Sequence, residues 1–557
     1  MKKLGETIGK FVVKHRILIV IASILLCIPS LFGYINTDIN YDILVYLPED
    51  IDTMKGQDIL AKDFDMGSFA MCIVENMSSK DVLDLEEKYK DIEGVVKVVS
   101  ANDMIGTTIP KEMLPSDVTK QFKKGNSELM LVTFKDSTVA IDAITQMREI
   151  TNDKVVRIGG MSASTLDTSI VADSEIITYV IVAVILVLIV LMASLNSYVV
   201  PFLLLGNIGL AILYNMGSNI FLGQISYITK AIAAVLQLGV TTDFSIFLYH
   251  KYEQAKTRVK TNNEAMTLAI GDTLVSIAGS SLTTIAGFLA LCTMQLTLGS
   301  DIGIVMAKGV FIGVLSTVTI FPAFLLVFDK VVFKTKHNPL IPSFNTIKGF
   351  VVKHYKIILL VALVIAYPAY YGNAHVKSYY NLTKDLPQDL KSCVANSELS
   401  DEFDLVASQV ILVDKGIKDN DLNQMVDEIE NVESVNLVLS PSQLSDLAIP
   451  DEMIPDDVKD IFESNRYKMI FVNSTEEIAK YDTIYDQKDF RKERRRCDER
   501  PLRGHSAGYD HRHRSRRQRP SLQMETDGIR AQGLELCQRK GHRHPADRIL
   551  VRGPVKA

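Results

Sequence analysis

Cysteine is sparse and scattered in this sequence. The six cysteines, Cys27, Cys72, Cys292, Cys393, Cys497 and Cys537, form no Cys-x-x-Cys pair, and no polar domain before residue 488 holds two of them. That spacing argues against a disulfide within such a domain and against a zinc site. No glycine-rich phosphate loop follows a strand, so ATP hydrolysis is not indicated. Nothing places a serine and a histidine as a nucleophile elbow, and the reading is of a protein that is no enzyme. Two further absences concern position. Only five arginines precede residue 491 whereas 16 lie from there on, and no apolar run of spanning length exists after Gly372.

What is present is segregated. The 47% apolar content is ordinary for a soluble chain. Here it is concentrated in long runs at 17–35, 176–195, 198–216, 229–250, 274–294, 302–328 and 355–372, each of about bilayer length. Basic residues flank alternate ends, which puts the N-terminus in the cytoplasm. Lys2, Lys3, Lys10, Lys14 and Arg16 precede a first run that is too long for a signal peptide and reads as a retained anchor. The expected fold is a polytopic α-helical membrane protein with two extracytoplasmic α+β domains. Its parts are a cytoplasmic N-terminus (1–16), the first span, a first outer domain (36–174), a five-helix bundle (175–330), a cytoplasmic loop (331–354), the seventh span and a second outer domain (373–487). In the first outer domain Phe69–Glu75, Glu128–Phe134 and Val155–Gly159 read as strands. Ser79–Ile92, Pro115–Lys123 and Ala140–Thr151 read as helices, with Ser79 as a cap. Asn262–Gly271 reads as a short amphipathic helix on the inner membrane surface.

The segment Ala231–His250, AIAAVLQLGVTTDFSIFLYH, carries Asp243 well inside a spanning run. An ionised carboxylate at a helix centre costs about 3 kcal/mol on insertion scales, so it must be protonated, paired or wet. Asp243 is therefore the candidate proton carrier, expected to be buried among apolar neighbours. Gly239, one turn earlier, is expected to let a neighbouring helix approach. A structural Asp satisfied by a helix partner is the alternative. Ser276, Ser280, Thr283 and Gly287 share one face of the fifth span, with Thr284 beside them. They read either as packing glue or as a wet stripe that relays the proton of Asp243. Lys308, in the sixth span, is expected either to snorkel outward or to pair with an acid.

The chain then repeats itself. Phe11, Lys14, His15, Pro29, Gly33, Tyr41, Leu47, Pro48 and Asp50 recur as Phe350, Lys353, His354, Pro368, Gly372, Tyr380, Leu386, Pro387 and Asp389, at a constant offset of 339. Phe64-Asp65 recurs as Phe403-Asp404, and IPKEMLPSDV (Ile109–Val118) returns as IPDEMIPDDV (Ile449–Val458), offset by 340. A duplicated span-plus-domain unit is a transporter pattern. The repeat predicts an eighth span near residue 515, where the sequence reads HRHRSRRQRPSLQMETDG. The second half is thus incomplete. The formal charge of −6 divides into −17 for the first 490 residues and +11 for the rest. The tail 488–557 is expected to be foreign, translated in the wrong frame, without fixed fold and packed against nothing. Its position after an outer domain argues against nucleic acid as a partner.

One span, an outer domain, five spans and then the same again resembles the resistance–nodulation–division superfamily. Within it, LGVTTDFSIFLYHKYEQ (Leu238–Gln254) resembles the fourth-span motif of MMPL-type transporters, Gly-x-x-x-Asp-Tyr/Phe, with Gly239, Asp243 and Phe244 in the three places. SSLTTIAGFLAL (Ser280–Leu291) is similar to the fifth span of that family. The resemblance covers residues 1 to about 487. It implies ferredoxin-like, porter-type outer domains and proton-driven export of lipids or other hydrophobic or amphiphilic compounds across the plasma membrane. The proton would be the coupling ion and no cofactor would be needed. Partners would be membrane lipids, the hydrophobic substrate and, in a homo-oligomer, further copies of the chain. The acidic motif that such relatives carry in a tenth span has no counterpart here. A lipid-binding or sensing bundle without transport, or an inactive fragment, are the alternatives.

Overall fold

The computed structural model describes residues 2–100, 122–151, 155–340, 345–376, 386–432, 434–441, 456–475 and 549–551 of the chain. Among them, seven helices are long and apolar enough to cross a membrane. In order these spans lie in Arg16–Ile35, Met161–Ser194, Val200–Gly217, Tyr227–Lys256, Asn262–Ala290, Thr297–Val327 and Asn345–Ala374. Each expected span overlaps one of them. The chain is a multi-pass membrane protein.

Several spans belong to helices that run beyond their expected ends, the second and the fifth furthest. The second begins at Met161 and is 34 residues long, about 50 Å at 1.5 Å per residue. That exceeds the roughly 30 Å of a bilayer core. Its first turns are held inside protein: Ser162, Ser164, Thr165 and Asp167 are buried, and Arg148 grips Asp167 through bonds of 2.5 and 3.2 Å. Gly160, at φ 89°, makes the turn into this helix, in a region that a side chain would strain. The fifth helix begins at Asn262, so Asn262–Gly271 is its first part and not a separate surface helix. The reason is the N-terminal helix Lys2–Lys14, which lies against it. A Cβ on Gly5 would stand 2.8 Å from Gly271 Cα, and one on Gly9 3.0 Å from Thr267 Cα.

The first α+β unit holds β1 (Asp38–Asn40), β2 (Ser68–Glu75), β3 (Val95–Ser100), β4 (Lys123–Lys124), β5 (Ser127–Phe134) and β6 (Val156–Gly159). Its antiparallel sheet runs β3-β5-β2-β6, with β4 on β5. β1 pairs in parallel with β7 (Gln224–Ser226), which precedes the fourth span. Successive residues of a strand point to opposite faces. Ala70, Cys72 and Val74 accordingly pack under helices Ser79–Lys90 and Ser137–Ile150, while Ile73 meets Leu399 and Phe403 of the second unit. The cap of helix Ser79–Lys90 is Ser78, which accepts from Asp81 N, and not Ser79. The helix expected over Pro115–Lys123 lies largely outside the described residues.

The second unit repeats the plan with β8 (Ala407–Asp414), β9 (Val435–Leu439), β10 (Tyr467–Ser474) and β11 (Ile549–Val551), in the order β9-β10-β8-β11. Helix Asp419–Glu430 covers one face. The other face turns to the first unit, where Leu60, Phe64 and Met66 pack with Val410, Leu412 and Met469. The helices Asp52–Asp63 and Lys391–Phe403 are exchanged: each packs on the edge strand of the other unit's sheet, β11 and β6 respectively.

β11 corrects one expectation. Residues 549–551 of the tail do pack, on β8, in the place that β6 takes on β2; the tail's other residues lie outside the described ones. In backbone register Leu550 pairs with Ile411 as Ile158 pairs with Cys72, the counterpart of Ile411 in the repeat. The second repeat has no apolar stretch where its own fourth strand would fall, and an edge strand with unpaired N–H and C=O groups takes up whatever extended segment reaches it.

Candidate functional site

The fourth span presents two faces of different character. On one, Asp243 joins Val240, Phe244 and Phe247, and the fifth span contributes Ser276, Ile277, Ser280 and Thr284, around an open groove of ≈ 390 Å³. Asp243 is exposed in this groove and not buried as the sequence reading had it, because its helix is packed through the opposite side. Phe244 is buried against Ile277 and Val310, between the fourth, fifth and sixth spans. Of the hydroxyl stripe, Ser276, Ser280 and Thr284 line the groove with the carboxylate. Thr283 does not; its hydroxyl donates to Ser280 O at 2.7 Å. Among the described residues, Gly239 and Gly287 have nothing within 4 Å of where a Cβ would stand, so no described helix approaches closely at either.

The close approach lies on the other face. The fourth and sixth spans run parallel and meet at a constant offset of 72 residues. Thr229 donates to Asp301 at 2.5 Å, Gln237 to Gly309 O at 3.2 Å, and Ser245 shares a hydrogen bond of 3.2 Å with Thr317. A Cβ on Gly313 would stand 2.5 Å from Thr241 Oγ1, and one on Gly309 2.6 Å from Asn215 Nδ2. Asn215 in turn donates to Gln237 Oε1 at 3.0 Å and links the third span. The sequence reading missed this seam. Its signal was present in Gly309, Gly313 and Thr317, small residues at i, i+4 and i+8, which let backbones approach inside a membrane.

Lys308 takes neither of the two courses expected of it. Its ammonium donates to Asn215 O at 3.0 Å and to Asn219 Oδ1 at 2.6 Å. It caps the last turn of the third span, where the unsatisfied carbonyls and the helix dipole favour a cation.

A second site lies between the two α+β units. An apolar cavity of ≈ 110 Å³ is lined by residues of both, among them Met66, Phe69, Met130, Phe403, Met469 and Phe471, and Ser100 is the one polar residue among the described residues lining it. Two kinds of contact hold its walls together. Buried ones join helix Lys391–Phe403 to the first unit: Asn396 accepts from Gly160 N at 2.7 Å and donates to Ser164 at 3.1 Å, while Asp167 accepts from Ser392 N at 2.7 Å. Charged pairs ring the outside, with Arg466 on Asp63 at 2.7 Å, Lys124 on Asp404 at 2.8 Å, and Arg157 between Glu75 and Glu398.

The sequence profile of the MMPL family matches residues 46–353. Relatives among characterised and catalogued proteins include membrane protein ActII-3 of Streptomyces coelicolor, 29% identical over 32% of this chain and 26% of the relative. Membrane protein YdfJ of Bacillus subtilis is 23% identical over 59% of this chain and 46% of the relative. The apo-petrobactin exporter of Bacillus anthracis is 24% identical over 71% of this chain and 60% of the relative. The chain thus spans between about a quarter and three-fifths of the length of these relatives.

Proposed function

Since this chain belongs to the MMPL family, we propose that it serves proton-driven export of a lipid or another hydrophobic or amphiphilic compound across the plasma membrane. Its N-terminus would lie in the cytoplasm and the two units, ferredoxin-like in form, outside. The observation that carries this reading is the cavity between the units, with Ser100 alone polar among its described lining residues. A site of that composition takes an acyl chain or ring and offers nothing to a charged group. Its ≈ 110 Å³ is less than the roughly 150 Å³ that holds a benzene. A whole lipid therefore needs the cavity to widen, and its methionine and phenylalanine walls can repack to allow this.

Asp243 is the proton carrier in this account, with Ser276, Ser280 and Thr284 able to hydrogen-bond it or water beside it. Gly239 and Phe244 complete the motif, Phe244 by packing the fourth span to the fifth and sixth. Protonation from outside removes a charge from the groove and so changes which arrangement of the bundle is favoured. The fourth–sixth seam would carry that change to Asp301 at the end nearest the units. No cofactor other than the proton takes part, and the chain is no enzyme.

The second reading is a lipid-binding bundle without transport. It is favoured by the seventh span, of whose apolar stretch no part is buried among the described residues. Purified chain in proteoliposomes with an internal pH dye separates the two. Proton flux that rises when a hydrophobic compound is added supports export, whereas compound binding with no such flux supports the second reading.

A further inference from the structure

We propose that the outward face of helix Lys2–Lys14 is a docking surface for anionic phospholipid headgroups, on the membrane side opposite the two units. The helix has two faces. Gly5, Gly9 and Val12 are buried, and the two glycines meet the start of the fifth helix backbone to backbone. The opposite face carries Lys3, Leu4, Thr7, Lys10, Phe11 and Lys14, all exposed, with Leu4 and Phe11 each at 58%. Leu4 and Phe11, seven residues apart, lie on the same side of the helix.

The helix leads through His15 directly into the first span, whose Ile17 and Leu18 are exposed in the same way. The apolar strip that meets lipid tails along the span therefore continues onto the helix at Phe11 and Leu4. Such a helix lies in the interface, with its apolar residues at the acyl boundary and its lysines at the phosphates. Among the described ion pairs none engages Lys3, Lys10 or Lys14, and Glu6 is the helix's one acid. The face is cationic and free to meet a counter-charge. A zwitterionic headgroup offers its phosphate with a competing ammonium, whereas an anionic one does not. Each lysine near an anionic surface raises affinity about fivefold, so the three together raise it about a hundredfold.

The test uses the full chain in a non-ionic detergent, titrated with dioctanoyl phosphatidylglycerol, dioctanoyl phosphatidylcholine or inorganic phosphate, with the thermal unfolding midpoint as readout. Phosphatidylglycerol is expected to raise the midpoint more than phosphatidylcholine, and added salt to narrow the gap. Phosphate alone is expected to have no effect. The triple variant Lys3→Gln, Lys10→Gln, Lys14→Gln should lose more than half of the gap. A control with Lys55→Gln, Lys80→Gln and Lys88→Gln, all exposed on the first unit, should keep it. A gap undiminished in the helix variant, no gap in the unaltered chain, or equal stabilisation by phosphate overturns the proposal.

Discussion

His15 and His354 break their helices with the same backbone, at φ −108°, ψ 20° and φ −112°, ψ 20°. Each follows a phenylalanine four residues earlier whose ring meets it at a tilt, with centroids 4.9 Å apart for Phe11 and 4.7 Å for Phe350. Each break separates the helical segment before it from the span that follows. The duplication thus copied a joint as well as a span. The same holds at the other end of the repeat, where Asp65 and Asp404 leave their exchanged helices at φ 52° and 55°.

The fourth–sixth seam is a matter of backbone distance, and a single methyl group should disturb it. Gly313→Ala would bring its Cβ to 2.5 Å from Thr241 Oγ1, overpacking that costs about 1–3 kcal/mol. Adding Thr241→Ala should return part of that stability, because the clashing atom is gone. Thermal unfolding of the two single variants and the double variant measures this coupling. Additive effects would mean that the two residues do not press on each other.

How much of this was legible in the sequence depended on the kind of signal. Spans and repeat were, because hydrophobic runs and a constant register survive without knowledge of neighbours. Helix ends were not: Met161 opens a helix well before its apolar run because the first unit buries Ser162 to Asp167, and no local signal announces that partner. The groove was half legible. Asp243, Ser276, Ser280 and Thr284 come together, while Gly239 and Thr283 share the sequence pattern but not the contact. The seam was spelled out at Gly309, Gly313 and Thr317, but small residues at this spacing do not name the helix they face, here the one that carries Thr241.

Cys72 tests the core of the first unit. Burial pushes its thiol up to about 12, with Arg148 opposing only in part, so it holds almost no thiolate at pH 8. Alkylation by iodoacetamide at that pH should leave Cys72 unmodified in folded protein and modify it fully after unfolding. Peptide mass mapping reads both states. Native-state labelling as fast as that of the partly exposed Cys292 would contradict the described core.

Two contacts between the units should differ in weight. Asn396→Ala leaves Gly160 N without its buried acceptor, at a cost of about 1–3 kcal/mol. Lys124→Met removes an ion pair whose lysine and aspartate are 36% and 66% exposed, and exposed pairs contribute about 0–1 kcal/mol. Unfolding midpoints should therefore fall further for Asn396→Ala. The reverse order would move the main lock of the cavity to the charged rim.

Topology is open to direct labelling. Single cysteines at Lys88 and Lys418, one on each unit, should react with an impermeant maleimide added to intact cells. One at Lys260, at the opposite end of the bundle, should react only after the cells are opened. Labelling at position 260 in intact cells would reverse the proposed orientation.

Asp243 carries the central claim. Asn at 243 keeps the size of the side chain and an oxygen to face Ser276, Ser280 and Thr284, but it cannot release a proton. In proteoliposomes with an imposed pH gradient, unaltered chain beside Asp243→Asn, the proton flux that accompanies movement of a hydrophobic compound should fall to background in the variant while its unfolding midpoint stays near that of the unaltered chain. Undiminished flux through Asp243→Asn would contradict the mechanism.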